Sequence, residues 1–300
     1  MLEGIISLVI VGMSWSLTGA VMGAAPKKKI DPASVQLTGT AISIICCSIL
    51  LCFTGKQNVP SAALFWGGLS YFMSGVLNCI MLVIMSKAMQ RGPNGIIWAI
   101  IQSAMIFPFL TGILFFGVKA NFIRIMGMVL LLISLALSGL SRPNKTTGNG
   151  RWKMLAFTAF ILTGFIHNFA NIPSYFESVQ RITPYFRSLM GASGAFIAAF
   201  LLLFFQKKTK LFIENTKSKW LWIFSMGLQF FSLIFAIFLF YPGMDTLARC
   251  GAGSLSYPLL VSSCLIGFFF YSLLVLKERN TPLQYASLAC CLTGIVMICL

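Results

Sequence analysis

Few residues in this 300-residue chain can do chemistry, and they can be named one by one. The carboxylates are Glu3, Asp31, Glu177, Glu214, Asp245 and Glu278; the one imidazole is His167; nine cysteines complete the set. All six acids fall at or near the ends of apolar runs, and the two Asp stand far apart, so paired-carboxylate catalysis or metal binding has no material. A Ser/His dyad around His167 lacks a Gly-x-Ser-x-Gly elbow. The cysteines, among them Cys46-Cys47 and Cys290-Cys291, form no Cys-x-x-Cys and read as soft packing residues rather than disulfides or ligands. No catalytic residue, metal or cofactor is expected. The chemistry left is that of reversible binding. Polar side chains interrupt the apolar runs at Ser14, Trp15, Ser16, Asn78, Trp98 and Gln102, and again at His167, Asn168, Asn171, Gln229, Tyr257, Ser262 and Ser263. Such groups are costly inside a membrane unless they face protein or water, which makes each a candidate site residue. For the serines, backbone or interhelical hydrogen bonding accounts for them equally well. Trp98 also suits an interfacial anchor, and His167 a neutral structural role.

The elements that must position these groups follow from composition. Apolar residues make up 58% of the chain and charged ones 9%, with mean hydropathy +0.90, which excludes an ordinary water-soluble domain. Ten runs have the length that crosses a hydrocarbon core: Ile5–Ala25, Ala33–Phe53, Ala62–Ser86, Asn94–Gly117, Phe122–Leu140, Met154–Tyr175, Tyr185–Phe205, Trp220–Tyr241, Ser254–Leu276 and Pro282–Leu300. Backbone groups in lipid must pair within their own segment, and the runs do not alternate as barrel strands do, so they are predicted helices. Asp31-Pro32, Thr183-Pro184 and Thr281-Pro282 each place a capping side chain before a proline suited to the first turn. Gly19 and Gly23 predict close packing of the first run on a neighbour. With Glu3 near its start and its length, that run is not a cleavable signal peptide.

Sixteen of the 22 Lys and Arg lie in connections after odd-numbered runs. The positive-inside rule puts those connections in the cytoplasm and both termini outside it, in a plasma (inner) membrane. The net charge of +16 is therefore an orientation signal and not a nucleic-acid footprint. The Lys207–Lys219 cluster also fits anionic lipid.

Ten runs divide into two sets of five, residues 1–143 and 150–300. A shift of 152 residues lays Gly12 on Gly164, Trp15 on His167 and Pro32 on Pro184. Later in the halves a shift of 160 lays Ala88 on Ala248, Ser103 on Ser263 and Lys119 on Arg279. Five is odd, so the halves enter the membrane from opposite sides, the inverted-repeat plan of secondary transporters. With the stretch Leu274-Val275-Leu276-Lys277-Glu278-Arg279-Asn280-Thr281, then Gln284 and Gly294, the chain resembles the drug/metabolite transporter superfamily as an EamA-like ten-helix member. Gly117 keeps the glycine of that turn in the first half while Val118 replaces the acid. Pro108 stands where the family carries a mid-helix proline, and Phe268 replaces it in the second half. Trp15 to Lys29 and Val275 to Glu278 look most like the rhamnose and glucose/ribose carriers.

The resemblance implies an all-α integral membrane protein, ten transmembrane helices as a 5+5 inverted repeat, with a cavity lined by helices one, three, four, six, eight and nine. Trp15, Asn78, Trp98, Gln102, His167, Asn168, Asn171, Gln229 and Tyr257 are the cavity candidates; Pro108 and Glu278 are gating or turn candidates. Stacking rings and neutral amides suit a sugar or another small polar metabolite, such as an amino acid. No acid is expected within the membrane, which disfavours cation-for-proton exchange and leaves proton coupling to His167 or sodium coupling to carbonyls. A membrane-embedded enzyme or a non-transporting partner protein are the competing classes.

Overall fold

The computed structural model describes residues 1–54, 57, 59–92, 94–140, 151–274 and 281–300, and every regular element among them is helical. In chain order the first half holds α1 (Leu2–Ala24), α2 (Pro32–Thr54), α3 (Ser61–Met89), α4 (Asn94–Gln102), α5 (Ile106–Phe116) and α6 (Phe122–Leu140). The second half begins with α7 (Arg151–Asn171), α8 (Glu177–Gln180), α9 (Pro184–Phe205) and α10 (Thr209–Thr216). It ends with α11 (Lys219–Phe235), α12 (Tyr241–Arg249), α13 (Ser256–Leu274) and α14 (Pro282–Cys299). Nine helical stretches among the described residues are long and apolar enough to cross a membrane, against the ten expected. The difference is the ninth run. It starts as a 3-10 turn, Gly253–Leu255, and continues as α13, while residues 275–280 lie outside the described set.

The proline-led starts form as their residues dictate. Asp31 Oδ2 accepts from the Ala33 amide at 3.0 Å, and Thr183 Oγ1 from the Phe186 amide at 3.4 Å. Thr281 and Gln284 make a reciprocal capping box at the start of α14, with Thr281 N donating to Gln284 Oε1 at 2.7 Å.

Two stretches are broken, each next to a proline. The fourth run is α4 and α5 joined by the 3-10 turn Ser103–Met105. Pro108 has no N–H for the carbonyl four residues back, that of Ala104, and the helix changes pitch there. The eighth run does not stop at Tyr241, where Pro242 was expected to end it. A π-turn, Ala236–Phe240, carries α11 into α12, and the helical stretch reaches Arg249. The wider turn just ahead of Pro242 accommodates the ring that a regular helix would reject. This overturns one expectation: Asp245 is not in a connection but within a helix, 8% exposed.

Close packing needs missing side chains at a few points. A Cβ on Gly75 of α3 would sit 1.9 Å from the Gly191 carbonyl oxygen of α9, and one on Gly12 of α1 would sit 2.2 Å from that of Leu260 in α13. Only glycine lets these backbones meet. By such contacts α1 packs on α13 and α12, α3 on α7 and α9, α2 on α9 and α11, α7 on α4 and α5, and α6 on α14.

Two pairs are tied by matched polar contacts. Along α2 and α9, Asp31 ion-pairs with Lys208 at one end. At the other end Gln57 clasps Thr183, its Nε2 donating to Oγ1 at 2.9 Å and its Oε1 accepting from Thr183 N at 3.0 Å. Between α6 and α14, Ser134 and Ser287 each donate to the other's carbonyl at 2.8 Å. The face bearing Met1, Arg249 and the α8–α9 connection is called the near face below; the far face bears Lys28, Gly92 and Ser218.

Candidate functional site

Between the faces lies a cavity of about 310 Å³. Spacing along α1 explains how one helix supplies its wall: Val11, Ser14, Trp15 and Thr18 fall three or four residues apart and so share a face. Gly19 on the same helix leaves room for the Trp98 indole of α4, whose Cη2 lies 3.3 Å from where a Cβ would stand. Trp98 thus forms cavity wall, and its buried Nε1–H meets no protein acceptor.

The near-side floor is aromatic. His167 of α7 stacks on Tyr257 of α13 with ring centroids 4.0 Å apart, and Trp15 lies 6.5 Å from His167 and 6.2 Å from Tyr257. Phe240, at the end of the π-turn, adds a ring 6.1 Å from Trp15, and Tyr241 and Tyr71 meet edge to face at 5.4 Å. The imidazole hydrogen-bonds to the Ala104 carbonyl, the group that Pro108 deprives of its helical donor. Pro108 itself is buried in α5 and acts on the site through that carbonyl. The other His167 nitrogen, Nδ1, has no protein partner.

The opposite wall is amide and hydroxyl. Gln36, Thr40 and Ser43 of α2, Ser74 and Asn78 of α3, and Gln229 of α11 face the space. Ser43 donates to Gln229 Oε1 at 3.2 Å, and the Gln229 stem lies where a Cβ on Gly39 would fall, so the amide is held flat against α2. Gln102 lines the space as well, its Nε2 3.9 Å from Cys264 Sγ. Among the residues lining the cavity none carries a charge.

Of the nine residues expected around a cavity, Trp15, Asn78, Trp98, Gln102, His167, Gln229 and Tyr257 are brought together here. Asn168 and Asn171 are not. One residue past His167 turns Asn168 about 100° around α7 and away from the space. Asn171 is 2% exposed near the end of α7 and donates to the Gly253 carbonyl at 3.3 Å, joining that end to the start of α13. Glu278 lies outside the described residues. The Lys207–Lys219 cluster flanks α10 on the far face, where Lys208 takes the Asp31 pair and Lys219 lies over the Trp220 ring.

Sequence reasoning missed the buried ion pair beneath the floor. Arg187 NH1 lies 2.8 Å from Asp245 Oδ2, with the arginine side chain 1% exposed and the aspartate 11%. The available signal was Pro184: a proline at the first helical position places Arg187 inside the first turn of α9 and not in a connection.

No curated protein matches the sequence. Twenty-five chains of solved structures match. One, titled "Crystal structure of protein", superposes with a TM-score of 0.69 at 12% identity, covering 99% of this chain and 94% of its own. At that identity the likeness concerns the fold alone. Residues 2–140, from α1 to the end of α6, match the model of the EamA-like transporter family.

Proposed function

We propose that the protein is a secondary carrier that moves a small, uncharged polar metabolite, sugar-like in its hydrogen bonding, across the plasma membrane by alternating access. The observation that carries this reading is an enclosed cavity with an aromatic floor, an amide and hydroxyl wall and no charged lining residue. Sugar hydroxyls pair with amides while sugar C–H faces pack on rings. A zwitterionic amino acid would leave its two charges without charged partners, so it ranks second.

A 5+5 inverted repeat of ten helices is supported by the packing. Exchanging the two halves turns the α1–α13 contact into that of α7 with α4 and α5, and the α3–α7 contact into that of α1 with α11 and α12. It likewise turns α3–α9 into α11–α2, and leaves α2–α9 and α6–α14 as they are. The two clasps of α2 and α9 also exchange, within one residue, under the shift that lays Pro32 on Pro184. In this reading α2–α9 and α6–α14 are axes, and the group α3, α4, α5, α7 rocks against the group α1, α11, α12, α13. The near face, with both termini, is extracytoplasmic, as the distribution of Lys and Arg favours.

A thermal-shift panel of sugars, amino acids and nucleosides on the purified protein, followed by counterflow in proteoliposomes with any stabilising solute, tests the reading. A sugar that both stabilises and exchanges is the expected result. If no small solute does both, the carrier reading fails. A cytoplasm-dependent reporter at Leu300 should be silent; activity reverses the orientation.

A further inference from the structure

The buried Arg187–Asp245 pair occupies the place where the two groups of helices meet on the near face. Arg187 is anchored to the α8–α9 connection by its own bonds. Its Nε donates to the Ile182 carbonyl at 3.0 Å, and its NH2 to those of Gln180 at 2.7 Å and Val179 at 3.1 Å. The guanidinium lies 5.8 Å from the ring of Tyr71 on α3 and 5.5 Å from that of Tyr241 on α12. Both rings line the cavity on their other side, as does Ser188, the next residue on α9. Asp245 is held differently: besides Arg187 its carboxylate meets Ser174, in the 3-10 turn that ends the α7 stretch. Arg249, one turn on along α12, lies near it electrostatically. The arginine therefore stays with its connection whichever way the helices move, while the aspartate belongs to a helix that joins α11 through a π-turn. Such turns interrupt the regular ladder and are natural points of bending.

We propose that α12 is the near-side gate of the cavity, bending at Ala236–Phe240 and latched by Asp245 on Arg187. Resting on the carrier reading, this assigns the pair the step that opens the cavity to the near face. Tyr241 carries that step between solute and latch, since it touches both spaces. When α12 swings out, Asp245 leaves Arg187 and Ser174 together, and Tyr71 and Tyr241 part to uncover Ser188. Arg187 and Asp245 are positioning residues in this scheme; neither touches the solute.

The test reads access, not transport. Ser188→Cys is introduced, and labelling by a membrane-impermeant maleimide is timed from each face of sided vesicles. Rates are read against protein that keeps Ser188, because Cys250 is exposed on the near face. Adding Asp245→Asn should raise the near-face rate at least tenfold and leave the far-face rate unchanged, while Asp245→Glu should stay close to the parent. If Asp245→Asn does not reach the membrane, Ser174→Ala is used instead, with at least a twofold near-face rise expected. An unchanged near-face rate, an equal rise from both faces, or a Glu variant as open as the Asn variant overturns the latch. No solute is needed, so a failed counterflow assay counts against the carrier and a failed labelling assay against the latch.

Discussion

The cavity is stopped at both ends, but by different physics. On the far face the plug is area: Met22, Ala25, Met85, Ile97, Trp152 and Leu221, drawn from six helices, are all at most 8% exposed and touch through apolar surface. On the near face an apolar core that includes Leu8, Met244, Leu247 and Leu255 is supplemented by the Arg187–Asp245 pair, three carbonyl bonds to the arginine, and the Asn171 amide on Gly253. Apolar contact can be traded gradually, especially through methionine, which repacks at small cost. A buried ion pair is made or lost as a unit, because one charge without the other is strongly unfavourable. One end can loosen by degrees, and the other must let go.

The substitution that most severely breaks the contrast is Asp245→Ala, which strands the Arg187 guanidinium. It should cost about 3–5 kcal/mol of stability, visible as a large fall in Tm of the purified protein. A Tm within a degree or two of the parent means the pair is not buried as described. Next comes Gly75→Ala, on the α3–α9 seam that runs between the two plugs. The added methyl must push against the Gly191 carbonyl, and about 1–3 kcal/mol of destabilisation is expected in the same melt. At the far face Met85→Leu conserves volume in an adaptable plug and should cost less than about 1.5 kcal/mol; a larger loss would show that this end too is narrowly specified. Smallest is Glu177→Gln, which breaks the pair with Arg181 at 2.9 Å on the near face, with side chains 80% and 65% exposed. Water screens that pair, so a change of about 0.2–1 kcal/mol, shrinking further in salt, separates an exposed ion pair from the buried one beside it.

The apolar half of this picture is legible in the chain itself, because in a membrane an apolar run of sufficient length has one backbone solution. The starts of α2, α9 and α14 could be placed from Asp31, Thr183 and Thr281, since capping is local chemistry. Trp15 and His167 could be matched through the repeat, and they face one cavity. The near-face network could not be anticipated in the same way. Pro242 reads as a stop because a regular helix excludes it, and the π-turn that admits it has no local signature. With α12 taken as a connection, Asp245 counts as a solvated charge and Arg187 as one more orientation signal. Asn168 and Asn171 were grouped with His167 by proximity along the chain. A helix turns about 100° per residue, and neither reaches the face that His167 occupies.

The π-turn has a consequence for what changes of length this chain can accept. Ala236–Phe240 contains one residue more than an α-helical path would use, and everything after it is phased by that surplus. Deleting any one residue there would let the stretch relax into a regular helix, rotating Tyr241 and Asp245 by about 100° and drawing them back by about 1.5 Å. The carboxylate would then point toward lipid and the arginine would keep its pocket alone. Replacing the 65% exposed Phe238 with leucine alters only the surface offered to lipid. Along this segment the number of residues is under tighter constraint than their identity, so a single-codon deletion should be far more damaging than a substitution at the same place.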